Sequence, residues 1–252
     1  MKIDRVILST NDNEDYYSFW PLVAKRWSSW GIAPELFVVS KNDLGIDNSL
    51  GNVTYIDPLD NYSTAHQAQI ARFFGATNFK DEVCLISDID MMPLNKDYFI
   101  KSVDRYTDDS IVFYSADAYL PGNPAFPAYP MCYMAAKGKT FEEIIKSNLD
   151  KFSIDFPEWM SHGYGWFTDE KVFYQKLQYW KKDNEKRIAL LRRGFNISND
   201  PQTIRRIDRA NNSHYNGDFL KNNFYVDYHM PRPYKSHKNI IDLVFGGTIT
   251  EG

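Results

Sequence analysis

The chain has 252 residues, 43% hydrophobic and 25% charged, with a formal net charge of -4. That length supports one large domain or two small ones with a sizeable core, and the acidic balance argues against a nucleic-acid binder driven by overall charge. The two cysteines, Cys84 and Cys132, sit in apolar runs, which argues against a disulfide framework or a zinc site and predicts buried thiols in a reducing compartment.

No apolar stretch approaches the length of a membrane span. Met1-Lys2-Ile3-Asp4-Arg5 runs into a strand without the apolar segment of a signal peptide. A soluble, cytoplasmic chain is expected.

Val6, Ile7 and Leu8 read as an apolar strand that opens into the polar loop Ser9-Thr10-Asn11-Asp12-Asn13. Asp15 is placed to cap a helix over 16–30, where Tyr16, Phe19, Trp20, Val23 and Trp27 recur at helical spacing. Gly31 ends it, and 35–39 is a second apolar strand. This opening predicts a parallel pair with a right-handed crossover. The first strand lacks a following Gly-x-Gly-x-x-Gly, which disfavours a dinucleotide site. A third strand is expected over 53–56, then a helix over 63–74 with Ser63 or Thr64 as N-cap. That helix carries Arg72, which is either solvated or, if the helix packs along the next strand, close to whatever that strand presents.

That next strand is the centre of the chain. Residues 83–86 are apolar and buried in character, and Ser87-Asp88-Ile89-Asp90-Met91-Met92-Pro93 follows. In extended backbone, residues two apart point to the same side. Asp88 and Asp90 are therefore predicted to project together from the strand's carboxyl end, where open α/β sheets bind ligands, with Pro93 stopping the strand. Two such carboxylates repel unless a cation lies between them, and a hard divalent ion, Mn2+ or Mg2+, suits oxygen ligands and substrate phosphates. An Asp-x-Asp alone is common by chance, with one Asp capping a helix and the other solvated.

Beyond the motif, a helix over 97–103, a strand over 111–114 and a proline-rich loop over 121–130 are expected. A strand over 131–136 leads to a helix begun by Thr140 with Glu143 three residues on, a capping-box pattern. The stretch 159–166, with Tyr164 and Trp166, reads as an aromatic, glycine-rich loop that shapes a pocket. Thr168-Asp169-Glu170 then opens a helix to about 180, with Thr168 or Asp169 as a possible simple N-cap. The last third is locally basic, with Lys181, Lys182, Lys186, Arg187, Arg192, Arg193, Arg205, Arg206 and Arg209. It is either a solvated surface or a collar for an anionic substrate. A polar loop over 211–223 precedes a short strand over 225–229, then Met230-Pro231-Arg232-Pro233-Tyr234.

This order of elements resembles the GT-A superfamily of nucleotide-sugar glycosyltransferases. The resemblance rests on βαβ units, a helix with an arginine, and a strand ending in Asp-x-Asp, here 63–72 followed by Leu85-Ile86-Ser87-Asp88-Ile89-Asp90. It implies an α/β fold with a Rossmann-type mixed sheet flanked by helices. It also implies a single domain over 1–252, with a nucleotide-binding half over 1–95 and an acceptor-binding half with the basic region over 96–252. Asp88 and Asp90 would bind Mn2+ or Mg2+, and Ser87 would lie near the ribose or the metal.

Weaker matches assign Asp169 or Glu170 as general base if the reaction inverts, and His229 as a third metal ligand. Arg232-Pro233-Tyr234 stands where members carry a Lys-Pro-aromatic element at the diphosphate, and His237-Lys238 is a second candidate. Ser9, Thr10 and Asn11 would meet the base or ribose, with Arg72, Tyr164 and Trp166 as further substrate contacts. The partners implied are a UDP- or GDP-sugar donor and a glycan or related acceptor. The lack of an anchor is closer to bacterial or virus-encoded members. Two other readings stay open. A haloacid-dehalogenase-type phosphatase also carries Asp-x-Asp after a strand, although Met92 stands where a Thr or Val is usual. A non-catalytic sugar- or nucleotide-binding module would keep the fold without turnover.

Overall fold

Along the first strand, β1 (Arg5–Asn11), Val6 and Leu8 enter one hydrophobic cluster while Ile7 enters another. The period of two sends alternate side chains to opposite faces, so β1 is buried on both. The computed structural model describes residues 1–114, 116, 128–191, 206–210 and 215–246. Arg192, Arg193, Arg205, most of the predicted loop over 121–130 and residues 211–214 of the predicted loop over 211–223 lie outside these. The rest of that second loop holds a short helix over Gly217–Lys221, capped by the Asn216 side chain.

After β1 come α1 (Glu14–Tyr17), α2 (Trp20–Ser29), β2 (Ala33–Val39), β3 (Asn52–Ile56), α3 (Thr64–Ala76) and β4 (Val83–Ser87). The chain continues through β5 (Met91–Pro93), α4 (Lys96–Ile100), β6 (Ile111–Phe113), β7 (Tyr133–Lys137), α5 (Gly138–Ile145), α6 (Phe152–Ser161) and α7 (Thr168–Asn184). It ends with β8 (Ile188–Leu190), β9 (Arg206–Ile207), α8 (Gly217–Lys221), β10 (Asp227–His229) and α9 (Tyr234–Gly246).

Among the described residues the main sheet has the order β3-β2-β1-β4-β7-β6-β8. The first four strands are parallel, and β7 is antiparallel to both β4 and β6. Strands from both halves of the chain thus share one mixed sheet. Helix α2 covers one face, with Trp20, Val23 and Trp27 fully buried, and α3, α5, α6 and α7 cover the other. A second sheet, β5-β10-β9, packs its Met91, Met92, Ile207 and Tyr228 into the α2-side core. The chain leaves β1 toward β2 on one side and returns through α3 to β4 on the other. The carboxyl ends of β1 and β4 therefore flank the topological switch point, where a ligand crevice forms.

Several local expectations need correction. The helix over 16–30 is two helices, because Pro21 favours a fresh first turn and Asn13, not Asp15, caps α1 through its side chain. The strand begun at Val83 ends at Ser87, and Met91–Pro93 is a separate short strand, paired with β10, that ends at Pro93. No side chain caps α5; Glu143 instead meets Arg187 and Trp180 across to α7 and its end. The stretch 159–166 is not one loop: Trp159 belongs to α6 and is fully buried. The segment Gly165–Phe167 is a 3-10 turn that leads into α7, and Phe167, rather than Thr168 or Asp169, is its N-cap. No helix among the described residues is long and apolar enough to cross a membrane.

Candidate functional site

At the carboxyl end of β4 the backbone leaves the strand in a turn, closed by Met91 N–H donating to the Asp88 carbonyl at 3.2 Å. The backbone is therefore not extended from Asp88 to Asp90, although both residues line one cavity. The same-side rule holds only in extended backbone, and the turn sends the two carboxylates to different partners. Asp88 pairs with Arg72, while the backbone carbonyl of Asp90 accepts from Met230 N–H at 2.9 Å and its side chain faces the C-terminal sheet.

Arg72 sits on α3, capped by Ser63, whose side chain accepts from Ala65 N–H. Helix α3 packs along β1 and β4, which buries the arginine against the sheet. Arg72 donates to Asp88 and, at 2.9 Å, to Oδ2 of Asp169 at the start of α7. Asp169 is only 4% exposed. Burial pushes its carboxyl up, and the Arg72 charge opposes that shift. One guanidinium thus ties β4, α3 and α7 together.

The second cluster forms on Asp90. Its Oδ2 lies 3.1 Å from Arg209 Nη1, 3.5 Å from His229 Nε2 and 3.9 Å from Arg232 Nε. His229 Nδ1 lies 3.2 Å from Asp208 Oδ2. Arg206 makes two 2.8 Å hydrogen bonds to Asp227, which is fully buried. The guanidinium of Arg232 lies 4.3 Å from the centroid of Tyr16.

Burial pulls the His229 imidazolium down, but hydrogen bonds to Asp208 and Asp90 outweigh it, and its pKa is raised above 6.5. The hydrogen bond from His229 in turn lowers Asp208 to about 2. A raised folded pKa means that His229 stabilises the fold below its unfolded pKa and loses that contribution as pH rises through the folded value. In metal-free protein, the imidazole resonances of His229 should therefore titrate with a midpoint above 6.5. The midpoint should fall in Asp208→Asn. An unchanged midpoint in that variant would show that Asp208 does not hold the charge.

Both clusters open into one cavity of about 380 Å³ at the switch point. Ser9, Thr10 and Asn11 line it from β1, and Asp88, Asp90 and Arg72 from the β4 side. Trp166, Asp169 and Glu170 line it from the α7 end, and His229 and Arg232 from the C-terminal strand and the turn beyond. Ser9 Oγ donates to the Ala68 carbonyl at 2.5 Å, and Asn11 Nδ2 to Thr64 Oγ1 at 3.0 Å, so α3 holds this loop in place.

Ser87, Tyr164 and the alternative pair His237-Lys238 are not brought to the cavity, and Lys238 pairs with Asp242 on its own helix. Ser87 is fully buried within β4, its hydroxyl turned to the Asp88 carbonyl. Tyr164 stacks on His162, and its hydroxyl accepts from Gln175. Cys132, expected in the core, is half-buried and lines the cavity, whereas Cys84 is fully buried and its thiol is pushed up by desolvation.

Tyr16, Gln69, Arg206 and Arg209 also line the cavity and were not singled out as site residues. The local basic run was the available signal for the two arginines. Of the rest of that run, Arg187 is tied to Glu143 and Asp109 and does not line the cavity.

In donor chemistry, two carboxylates and an imidazole fit a hard divalent ion. The 3.5 Å between His229 Nε2 and Asp90 Oδ2 is close to the ~3 Å separation of adjacent ligands around an octahedral ion at ~2.1 Å. Asp88 faces Arg72 instead, and among the described residues no group of three or more His, Cys, Asp or Glu is gathered around one point.

No protein-family model matches the chain, and no curated protein does. Among solved structures, the galactosyltransferase LgtC in complex with donor and acceptor sugar analogues aligns with a TM-score of 0.53 and 12% identity, over 98% of this chain and 97% of that one. An active-site mutant of LgtC aligns with a TM-score of 0.51 and 11% identity, over 98% and 97%. This likeness is one of fold, and it establishes the expected GT-A-like α/β arrangement in a single domain.

Proposed function

We propose that this chain is a metal-dependent glycosyltransferase that moves a sugar from a UDP- or GDP-linked donor to a hydroxyl of a glycan or related acceptor. The observation that carries the reading is the meeting of Asp90, His229, Asp88 and Arg72 in one cavity at the switch point of a fold shared with a galactosyltransferase.

Asp90 and His229, with Asp88 beside them, would hold Mn2+ or Mg2+. When bound, the ion would act as a Lewis acid on the diphosphate. Arg232 adds positive charge on the same side of the cavity, where charge develops on the departing group. Ser9, Thr10 and Asn11 offer polar contacts to the base or ribose, and the exposed ring of Trp166 offers a face to a sugar or base. The two free thiols suit a reducing, cytoplasmic setting.

Arg72 engages Asp169, so on an inverting course the base is assigned to Glu170. Glu170→Gln should then lower kcat by ~10²–10⁴ with donor affinity unchanged. A variant with full turnover would remove the base assignment and favour retention. The phosphatase reading needs Asp88 as an attacking nucleophile, and the Arg72 ion pair opposes that.

Isothermal titration of a UDP- and GDP-sugar panel with and without Mn2+, followed by donor hydrolysis assays, tests the whole reading. Metal-dependent binding of one donor with slow hydrolysis is expected. Binding without any hydrolysis or transfer would point to a non-catalytic module, and no binding of any donor would sink the proposal.

A further inference from the structure

Arg209 takes a position that the metal reading does not require. It lies in the turn after β9, with its side chain 36% exposed, and pairs with the buried carboxylate of Asp90. Its Nη1 contacts Oδ2, the same oxygen that His229 and Arg232 approach. A divalent ion on Asp90 would need that oxygen, and a guanidinium this close repels a doubly charged ion.

The neighbouring arginines are held differently. Arg206 is locked by two hydrogen bonds to Asp227, and Arg232 rests over the Tyr16 ring. Arg209 reaches Asp90 through a single ion pair on a partly exposed side chain. A cation arriving on Asp90 would leave that buried carboxylate paired when the partly exposed arginine departs, and a planar guanidinium suits phosphate oxygens.

We propose that Arg209 and the divalent cation compete for Asp90, and that the displaced Arg209 turns to the diphosphate of the nucleotide. Cation and nucleotide would thus load together, with the arginine passing from a protein carboxylate to a substrate phosphate. This rests on the functional reading above.

The test is Arg209→Gln in the full-length protein, read by the electron paramagnetic resonance of free Mn2+ and by calorimetric titration of UDP at saturating Mn2+. Loss of one charged contact predicts an Mn2+ Kd lowered ~10-fold and a UDP Kd raised ~10-fold. A role confined to holding the fold would weaken both together. Arg209→Lys keeps the charge, so it should leave Mn2+ affinity near wild type while still weakening UDP; it also serves if the glutamine variant does not fold.

Mn2+ affinity unchanged or weaker in Arg209→Gln, with wild type binding the ion, overturns the competition and leaves the glycosyltransferase reading standing. If neither protein binds Mn2+, the competition fails along with the metal dependence on which it rests.

Discussion

Arg72→Met should lower the unfolding free energy by about 3–5 kcal/mol, the range for removing one partner of a buried ion pair. The loss follows from what the arginine leaves behind. Asp169 is 4% exposed and its only charged partner among the described hydrogen bonds and ion pairs is Arg72. Without the guanidinium it must either stay ionised in an apolar setting or take up a proton. Asp88 is about one-third exposed and water can compensate it in part, so it adds less.

Two comparisons isolate the cause. Arg72→Met with Asp169→Leu removes both buried charges and should recover most of the loss. The deficit of the single variant should also shrink toward acidic pH, because the Asp169 carboxyl, already raised by burial, protonates more readily once Arg72 is gone. Urea denaturation at several pH values gives all of these numbers. A single variant within about 1 kcal/mol of wild type would mean that the pair is not buried as described.

The frame of the molecule was legible because its strands are buried on both faces. Such strands read as continuous apolar runs, and β1, β2 and β4 lie where those runs predict. The Asp-x-Asp was legible as a sign of chemistry but not in its geometry. Whether a backbone stays extended past Ser87 depends on β5 turning back to pair with β10, a contact more than 130 residues apart in sequence.

Helix α6 was hidden for a different reason. Phe152, Phe156 and Trp159 form a buried helical stripe with Pro157 inside the helix, but the glycines and aromatics just beyond make the stretch 159–166 read as a loop. The capping-box pattern at Thr140 failed because tertiary partners took both side chains: Arg187 reaches Glu143 and Thr140 alike. Arg206 and Arg209 looked like their basic neighbours. Only the pairing of β9 with β10 distinguishes them by carrying them to the cavity.

Asp90→Asn should weaken Mn2+-dependent donor binding by ~10²–10³-fold and reduce turnover at least as much, the scale for losing one preorganised charged contact at a site of developing charge. The substitution preserves shape, so the backbone link from the Asp90 carbonyl to Met230 should persist. It removes the negative charge on which Arg209, His229 and Arg232 converge. Those groups would then leave a net positive pocket, and a positive pocket still attracts a diphosphate.

The expected signature is therefore asymmetric. UDP alone should bind the variant as well as wild type or better, while added Mn2+ should no longer improve binding. Calorimetry with and without the ion measures both. General collapse of the site would abolish both modes, and retention of the metal-dependent gain would remove Asp90 from the metal's ligands. Only selective loss of the gain is consistent with one carboxylate serving in turn as partner to the protein's own cations and as ligand to the metal.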